Sequence, residues 1–385
     1  MRTAFFIIDY SITGGVERVN ANLSKLFFNN NIEASYIISL RSAQVKPDID
    51  YPDHLEIFVL FPDGNVVDIV TTLSKFLRHH SISTLIFQGD NMTITLAVQK
   101  AARLAQCRSI LHYHGSPYGY LKKYIYLADV LQKPLNAFKL LWSHIVYPFK
   151  KAKLKKVITN ADGGFVCVSE GVRKELLALF ALPEEMAKNV ISIPNPLTFK
   201  VNNNTTFNKE KKIVYLSRLH RKHKNSMLSL KAWKILQNKY PGWKLYILGD
   251  GVLKKAMENY CMHQQLTNVI FAGMVNNVET YLQASSISIL TSDCEGLGMG
   301  LLESAAYKNA LVVTRADGGV TDIVEDGITG FLVPRNDSKG LAEKMSLLMN
   351  DKTAREKMGD NASKKLAYFD DSIITSLWKK LLAGK

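Results

Sequence analysis

The chain reads as an α/β protein built from two doubly wound domains, each a parallel sheet with helices on both faces. Three observations predict this. Short apolar runs rich in β-branched residues alternate with helix-period segments through most of the 385 residues, which is the pattern of βαβ units. A polar, core-free stretch, Val201-Asn202-Asn203-Asn204-Thr205-Thr206, interrupts that alternation and reads as a linker. The length, with 47% hydrophobic and 22% charged residues, suits two folded bodies.

Taken in order, Ala4-Phe5-Phe6-Ile7-Ile8 is the first strand. Thr13-Gly14-Gly15 turns into a helix from Val16 to Asn29. Ala34 to Leu40 is a strand, Val66 to His80 a helix, Thr84 to Phe87 a strand and Met92 to Ala105 a helix. Ser109 to Tyr113 forms a strand that ends at His114-Gly115. Gly164 to Val168, the helix Val172 to Phe180 and the strand Val190 to Ile193 complete the half that Pro194-Asn195-Pro196 closes. A second series starts at Lys212-Ile213-Val214-Tyr215-Leu216. The expected boundaries are residues 1–196 for the first domain, 197–211 for the linker and 212–369 for the second domain.

Four scattered cysteines, Cys107, Cys167, Cys261 and Cys294, have neither metal nor disulfide spacing and imply a reducing compartment. Phe5-Phe6-Ile7-Ile8 is too short for a signal h-region, and nowhere do eighteen apolar residues run together. A cytoplasmic protein is expected. The net charge of +15 admits nucleic acid, an anionic membrane or an anionic substrate. Between Lys122 and Lys156 stand nine lysines against one acid, Asp129, preceded by Tyr118 and Tyr120 and interleaved with Tyr124, Tyr126, Phe138, Trp142, Tyr147 and Phe149. That mixture suits adsorption to anionic lipid headgroups; a solvated basic face over a normal core is the alternative. No nucleic-acid motif accompanies the charge.

The chemistry gathers around Cys294-Glu295-Gly296-Leu297-Gly298-Met299-Gly300-Leu301-Leu302-Glu303. Seven residues, three of them glycine, separate Glu295 from Glu303. A strand, Ile287 to Leu290, precedes this stretch, and a helix from Leu301 to Tyr307 follows. Glycines let a ligand approach the backbone, and a helix N-terminus attracts phosphate oxygens. Glu303 is expected in the first helical turn, with Glu295 at the strand end. An ordinary βα loop, with Glu303 capping the helix and Glu295 solvated, is the competing reading. Ser217-Arg218-Leu219, after a strand, and Lys224-Asn225 supply a guanidinium fork and a point charge, a natural pair for a diphosphate. His112 and His114 share a strand face, but no third metal ligand is evident. Ser169 is a helix cap.

Together with Ala310-Leu311-Val312-Val313-Thr314, Asp317-Gly318-Gly319 and Val324-Glu325-Asp326-Gly327-Ile328-Thr329-Gly330-Phe331-Leu332-Val333, the Glu295/Glu303 spacing resembles the C-terminal half of retaining nucleotide-sugar glycosyltransferases of family 4, with the GT-B fold. The chain departs from that pattern in having Ser217 and Asn225 where glycine is usual, and Lys222 is an alternative to Lys224. The resemblance implies two Rossmann-like domains facing across a cleft, with the C-terminal helix (370–385) crossing back to the first. It implies that Arg218 and Lys224 hold the donor's diphosphate without a metal, and that Glu295 and the amides of Gly296, Leu297 and Gly298 hold the sugar and phosphate. Glu303 would accept from the ribose hydroxyls, and the base would rest on Gly273, Met274 and Val275. In the first domain Gly15 would face the donor phosphate or the acceptor, and His114 the transferred sugar. No cofactor is implied beyond the donor, with a UDP-sugar the first expectation. The expected partners are this donor, a glycan acceptor, lipid-linked as in capsule or O-antigen assembly, and the anionic cytoplasmic face of a membrane, with no nucleic acid. The rivals are a GT-B sugar-nucleotide epimerase and an inactive relative serving as an assembly partner.

Overall fold

The computed structural model describes residues 2–10, 14–41, 49, 51–62, 65–89, 91–122, 135–198, 201 and 205–384. Part of the glycine turn (11–13), much of the basic segment (123–134) and the middle of the polar linker (202–204) lie outside them, as does the Lys222 side chain. Two compact units emerge, one from residues 1–121, 137–198 and 369–385 and the other centred on 199–368.

The first unit is built on seven strands: β1 (Thr3–Asp9), β2 (Tyr36–Arg41), β3 (Glu56–Phe61), β4 (Thr84–Gln88), β5 (Arg108–Tyr113), β6 (Phe165–Cys167) and β7 (Val190–Ser192). They are ordered β3-β2-β1-β4-β5-β6-β7, with every neighbour parallel. Strand residues alternate between faces, and both faces are buried. Ala4 and Phe6 join a core with Leu73, Val98, Leu154 and Val157. Phe5 and Ile7 point the other way, into a core with Leu23, Phe27 and Trp378. A parallel sheet covered on both sides needs such continuous apolar strands.

Trp378 comes from the C-terminal helix Asp371–Leu382. Its indole stands edge-on to Phe27, at 5.6 Å, and to His112, at 5.3 Å. Arg108, at the start of β5, donates to the carbonyls of Leu381 (2.9 Å) and Leu382 (3.1 Å). A cation at a helix C-terminus satisfies carbonyls left without an intrahelical partner. The last helix is thus fastened by both a ring and a charge.

β3 is a strand the sequence pattern did not announce. Its first residues, including Ile57 and Phe58, are exposed, so the run lacks the alternation that marks a half-buried strand. It forms by pairing at the sheet edge.

The second unit repeats the winding. β8 (Lys212–Leu216), β9 (Lys244–Leu248), β10 (Val269–Gly273), β11 (Ile287–Leu290), β13 (Ala310–Thr314) and β15 (Gly330–Val333) form a parallel sheet ordered β10-β9-β8-β11-β13-β15. The short β12 (Cys294–Glu295) and β14 (Asp317–Gly318) pair separately. In both sheets the winding reverses beside the first strand, at β1/β4 and at β8/β11, where ligands of such sheets bind beyond the carboxyl ends. No helix among the described residues is long and apolar enough to cross a membrane.

Replacing Trp378 with alanine should destabilise the first unit by about 3–5 kcal/mol, the usual cost of removing a large buried ring. Urea denaturation followed by far-UV circular dichroism checks this; a loss below ~1 kcal/mol would show that the helix does not hold the unit together.

Candidate active site

The candidate side chains Arg218, Lys224 and Glu295 of the second unit stand on the segments that leave the carboxyl ends of β8 and β11. The backbone leaves β8 through Ser217-Arg218-Leu219, and this loop is shaped by two glycines after β9. Gly249, at φ +126°, and Gly251, at φ +149°, lie so close that an added Cβ would stand 2.1 Å from the Ser217 carbonyl oxygen and 2.5 Å from that of Leu219. Leu219 donates its N–H to the Asp250 carbonyl at 2.8 Å. With Leu219 buried, Arg218 is left exposed, and no ion pair occupies it among the described residues.

Lys224 closes the short helix Arg221–Lys224 and is held through its own backbone. Its carbonyl accepts from the Thr291 hydroxyl (2.9 Å) and the Tyr215 hydroxyl (3.3 Å). Tyr215, on β8, is fully buried, and burial pushes its phenol pKa up. With the backbone fixed, the Lys224 ammonium reaches both oxygens of Glu295, at 2.6 and 2.8 Å. The Ser292 hydroxyl donates to the same carboxylate. Glu295 is only 8% exposed, and β12–β14 pairing fixes its backbone. A carboxylate with a cation on both oxygens and a further hydroxyl donor is a fixed acceptor rather than a free nucleophile.

Several members of this cluster were not anticipated. Arg335, beyond β15, pairs with Asp317 at 2.6 Å and donates to the Asp293 carbonyl at 3.3 Å. The Asp317 N–H donates to that carbonyl at 3.0 Å. Cys294 Sγ lies 3.1 Å from His223 Nδ1. One signal was available: Thr291-Ser292-Asp293 is a polar triplet directly after a buried strand, and all three residues are buried.

Gly298 adopts φ +92° as the residue before the helix Met299–Ala306, while Gly296 stays partly exposed. Leu297 is 2% exposed, its side chain buried in the unit. The helix starts at Met299, not Leu301, and Glu303 is its fifth residue, with no acid in the first turn. Glu303 therefore falls in the second turn rather than the first, because Met299 and Gly300 are already helical. Gly273, at φ +71°, ends β10; Met274 beyond it is 67% exposed and Val275 partly so.

His114 and Gly15 belong to the first unit. Gly15 opens the helix Gly15–Asn29, and a Cβ there would meet nothing within 4 Å. His114 follows β5 and is half-buried. Its ring centroid lies 4.3 Å from that of His112, and burial pushes its pKa down to about 3. His112 is likewise pushed well below its ordinary value, first by burial and then by His114. The two imidazoles stay neutral. Below them Gln88 donates to Asn20 at 2.8 Å. Among the described residues, no group of three or more His, Cys, Asp or Glu is arranged to hold a metal ion.

Two doubly wound parallel sheets, the second carrying a cation-and-carboxylate cluster at its reversal point, define a GT-B protein, and solved structures agree. The fold superposes on Staphylococcus aureus TarM with TM-score 0.78 at 14% identity, covering 99% of this chain and 98% of that one. It superposes on Anabaena HepE, solved with UDP and glucose, with TM-score 0.72 at 16% identity over all of both chains. Residues 198–365 match the family of glycosyl transferases group 1. An uncharacterized glycosyltransferase of Haemophilus influenzae is 24% identical over 99% of each chain. An α-1,4-N-acetyl-D-galactosaminyltransferase of Campylobacter jejuni, whose acceptor is a diphospho-undecaprenol-linked glycan, is 31% identical over 52% of this chain and 56% of its own.

Two outcomes follow from this geometry. Gly249→Ala places a methyl against the Ser217 carbonyl in a backbone region that disfavours it, a strain of order 1–3 kcal/mol. The variant should melt lower and lose nucleotide affinity, as calorimetry on both would report; an unchanged affinity would detach this glycine from the Arg218 loop. The histidines give a pH dependence. A group whose pKa falls on folding adds stability that is complete above its unfolded value, near 6.5, and is lost as pH drops from 6.5 towards 3. The urea midpoint should therefore fall between pH 7.5 and 5.5, and fall less in His112→Phe; an equal fall in the two would assign the acid sensitivity elsewhere.

Proposed function

We propose that the chain transfers a sugar from a nucleoside-diphosphate sugar to a hydroxyl of a lipid-linked glycan. It does so with retention at the anomeric carbon, as a family 4 enzyme of surface polysaccharide assembly. The observation that carries this reading is the Lys224–Glu295 pair, with the exposed Arg218 on the same stretch of chain leaving β8, at the point where the second sheet reverses its winding. A nucleotide diphosphate bound there meets two cations of complementary shape, the flat fork of Arg218 and the compact ammonium of Lys224.

Catalysis is then electrostatic. As the bond from the anomeric carbon to the leaving phosphate oxygen lengthens, negative charge builds on the diphosphate. Preorganised cations stabilise this charge without reorganising. Lys224 is preorganised because Tyr215 and Thr291 fix its backbone and Glu295 fixes its ammonium. Glu295, already holding Lys224 and Ser292, orients the sugar hydroxyls and forms no covalent intermediate. The leaving phosphate oxygen takes the acceptor's proton on the same face. Glu303 accepts from the ribose, the amides of Gly296 to Gly298 hold the sugar and phosphate, and Gly273, Met274 and Val275 support the base. His114, kept neutral by burial, contacts the transferred sugar; Gly15, with open space where a side chain would stand, receives the donor phosphate or the acceptor. No metal is required, because Arg218 and Lys224 supply the positive charge.

Two likenesses support the donor and acceptor classes. A TarM variant was solved with UDP and α-GlcNAc-glycerol, and the Campylobacter relative acts on an undecaprenol-linked glycan. We propose a UDP-sugar as the donor and the cytoplasmic face of a membrane as the place of work.

A thermal-shift series with UDP, GDP, ADP and their sugars, in EDTA, tests the reading. One nucleotide at about a hundred times its dissociation constant should stabilise the wild type by roughly 2.7 kcal/mol, and Arg218→Ala and Glu303→Ala much less. Lys224→Ala should lower kcat about 10²–10³-fold and also lower the melting temperature, because it leaves the buried Glu295 carboxylate without its cation. Turnover of the nucleotide sugar without any acceptor would favour an epimerase, and binding without turnover an inactive relative.

A further inference from the structure

The helix Leu135–Thr159 carries two apolar faces. One is ordinary: Leu154, Val157 and Ile158 are buried in the core of the first unit, with Tyr147 packed against it. The other has no counterpart among the described residues. Phe138, Leu141, Trp142, Ile145 and Phe149 are 72, 59, 56, 52 and 74% exposed. Their spacing of three, one, three and four residues keeps them on one side of a helix, within an arc of about 100° and roughly opposite the packed face. The ridge runs along about 17 Å of helix, at 1.5 Å per residue. Five large apolar side chains in one exposed row mark an interaction surface rather than scattered surface residues.

Charge selects the occupant. The helix contains six lysines, Lys139, Lys150, Lys151, Lys153, Lys155 and Lys156, and no acid. Three of them are engaged on the protein: Lys150 donates to the Tyr120 carbonyl at 2.9 Å, Lys153 to the Thr93 hydroxyl at 2.7 Å, and Lys151 lies over the Phe180 ring at 5.6 Å. Lys139, Lys155 and Lys156 are exposed, the first beside Phe138 and the other two beyond Phe149. A second copy of this chain would bring the same lysines and a net charge of +15 to the contact, which opposes self-association. Nucleic acid would leave the apolar row in water. A surface that is apolar beneath and anionic above satisfies both features.

We propose that Phe138, Leu141, Trp142, Ile145 and Phe149 insert in the plane of an anionic bilayer at the headgroup–acyl boundary, with Lys139, Lys155 and Lys156 on the headgroup phosphates. This deepens the acceptor reading above by naming the device that meets the membrane, and its biological use rests on that reading. It also differs from adsorption by lysines alone. Insertion of apolar side chains survives salt, whereas headgroup attraction falls off with screening.

The chain offers its own probe. Of its four tryptophans, Trp233, Trp243 and Trp378 are at most 4% exposed, against 56% for Trp142, so a lipid-induced change in emission reports on the ridge. The experiment mixes the full chain with vesicles of phosphatidylcholine alone or with 30% phosphatidylglycerol and reads sedimentation and fluorescence. The anionic vesicles should pull the protein down, shift its emission to the blue, and retain most of it when salt is raised to 0.5 M. The triple variant Phe138→Ser, Ile145→Ser, Phe149→Ser should bind at least tenfold more weakly, and Lys155→Glu with Lys156→Glu should weaken binding mainly at low salt. Wild-type protein left in the supernatant, or a triple variant that binds like the wild type, would overturn the proposal. So would a wild-type dimer that the triple variant abolishes, since that would assign the ridge to a second copy. Thermal shift with UDP on the same samples reads the donor site independently, so a failed membrane test and a failed donor reading are told apart.

Discussion

The pairing of β8 with β11 is the constraint on which the candidate site depends. These strands are adjacent in the sheet but distant in sequence, and the chain winds away from them in opposite directions. Their carboxyl ends are therefore left open, and the loops that leave them carry Arg218 and Lys224 on one side and Glu295 on the other. Tyr215 on β8 and Thr291 just beyond β11 both bond the Lys224 carbonyl, so the ammonium is held by the sheet's own register. A slip of one residue in that pairing would turn Tyr215 to the other face and release the lysine.

Around this point the polar groups share one another's partners. Lys224 and Ser292 bond Glu295; Arg335 bonds both Asp317 and the Asp293 carbonyl. Buried charges cost free energy unless they are paired and hydrogen-bonded, and here the pairing also sets their geometry. The electrostatic role proposed for Lys224 needs such fixed positions, because a lysine free to relax would stabilise the ground state and the transition state alike. Arg218 is the contrast: its backbone is fixed by the tight approach of Gly249, yet its side chain is exposed.

The first unit follows the same winding with a different outcome. Its reversal point carries neutral rings and amides, His114, His112, Gln88 and Asn20, over a helix that returns from the chain's end with Trp378. Burial keeps the imidazoles uncharged, so this end offers dipoles where the second unit offers ions. The same unit carries the ridge from Phe138 to Phe149, on a helix whose other face is ordinary core.

Much of this was legible in the chain itself. Alternating apolar runs and helical periods fix two parallel, doubly wound sheets, since only β-branched runs buried on both faces read that way. The Glu295–Glu303 spacing and the Arg218/Lys224 loop locate the cluster, because glycines and helix starts are local signals. Tertiary structure alone decided the rest. That Lys224 and Glu295 bond each other, that Tyr215 and Thr291 hold the lysine, and that Arg335 joins from a later strand are long-range contacts with no local trace. Helix phase placed Glu303 in the second turn rather than the first, and edge pairing made a strand of Glu56–Phe61. The helix Leu135–Thr159 shows the division best. Its sequence gives two apolar stripes of equal claim, and only packing against the first unit's core decides which is buried and which is left to face outward.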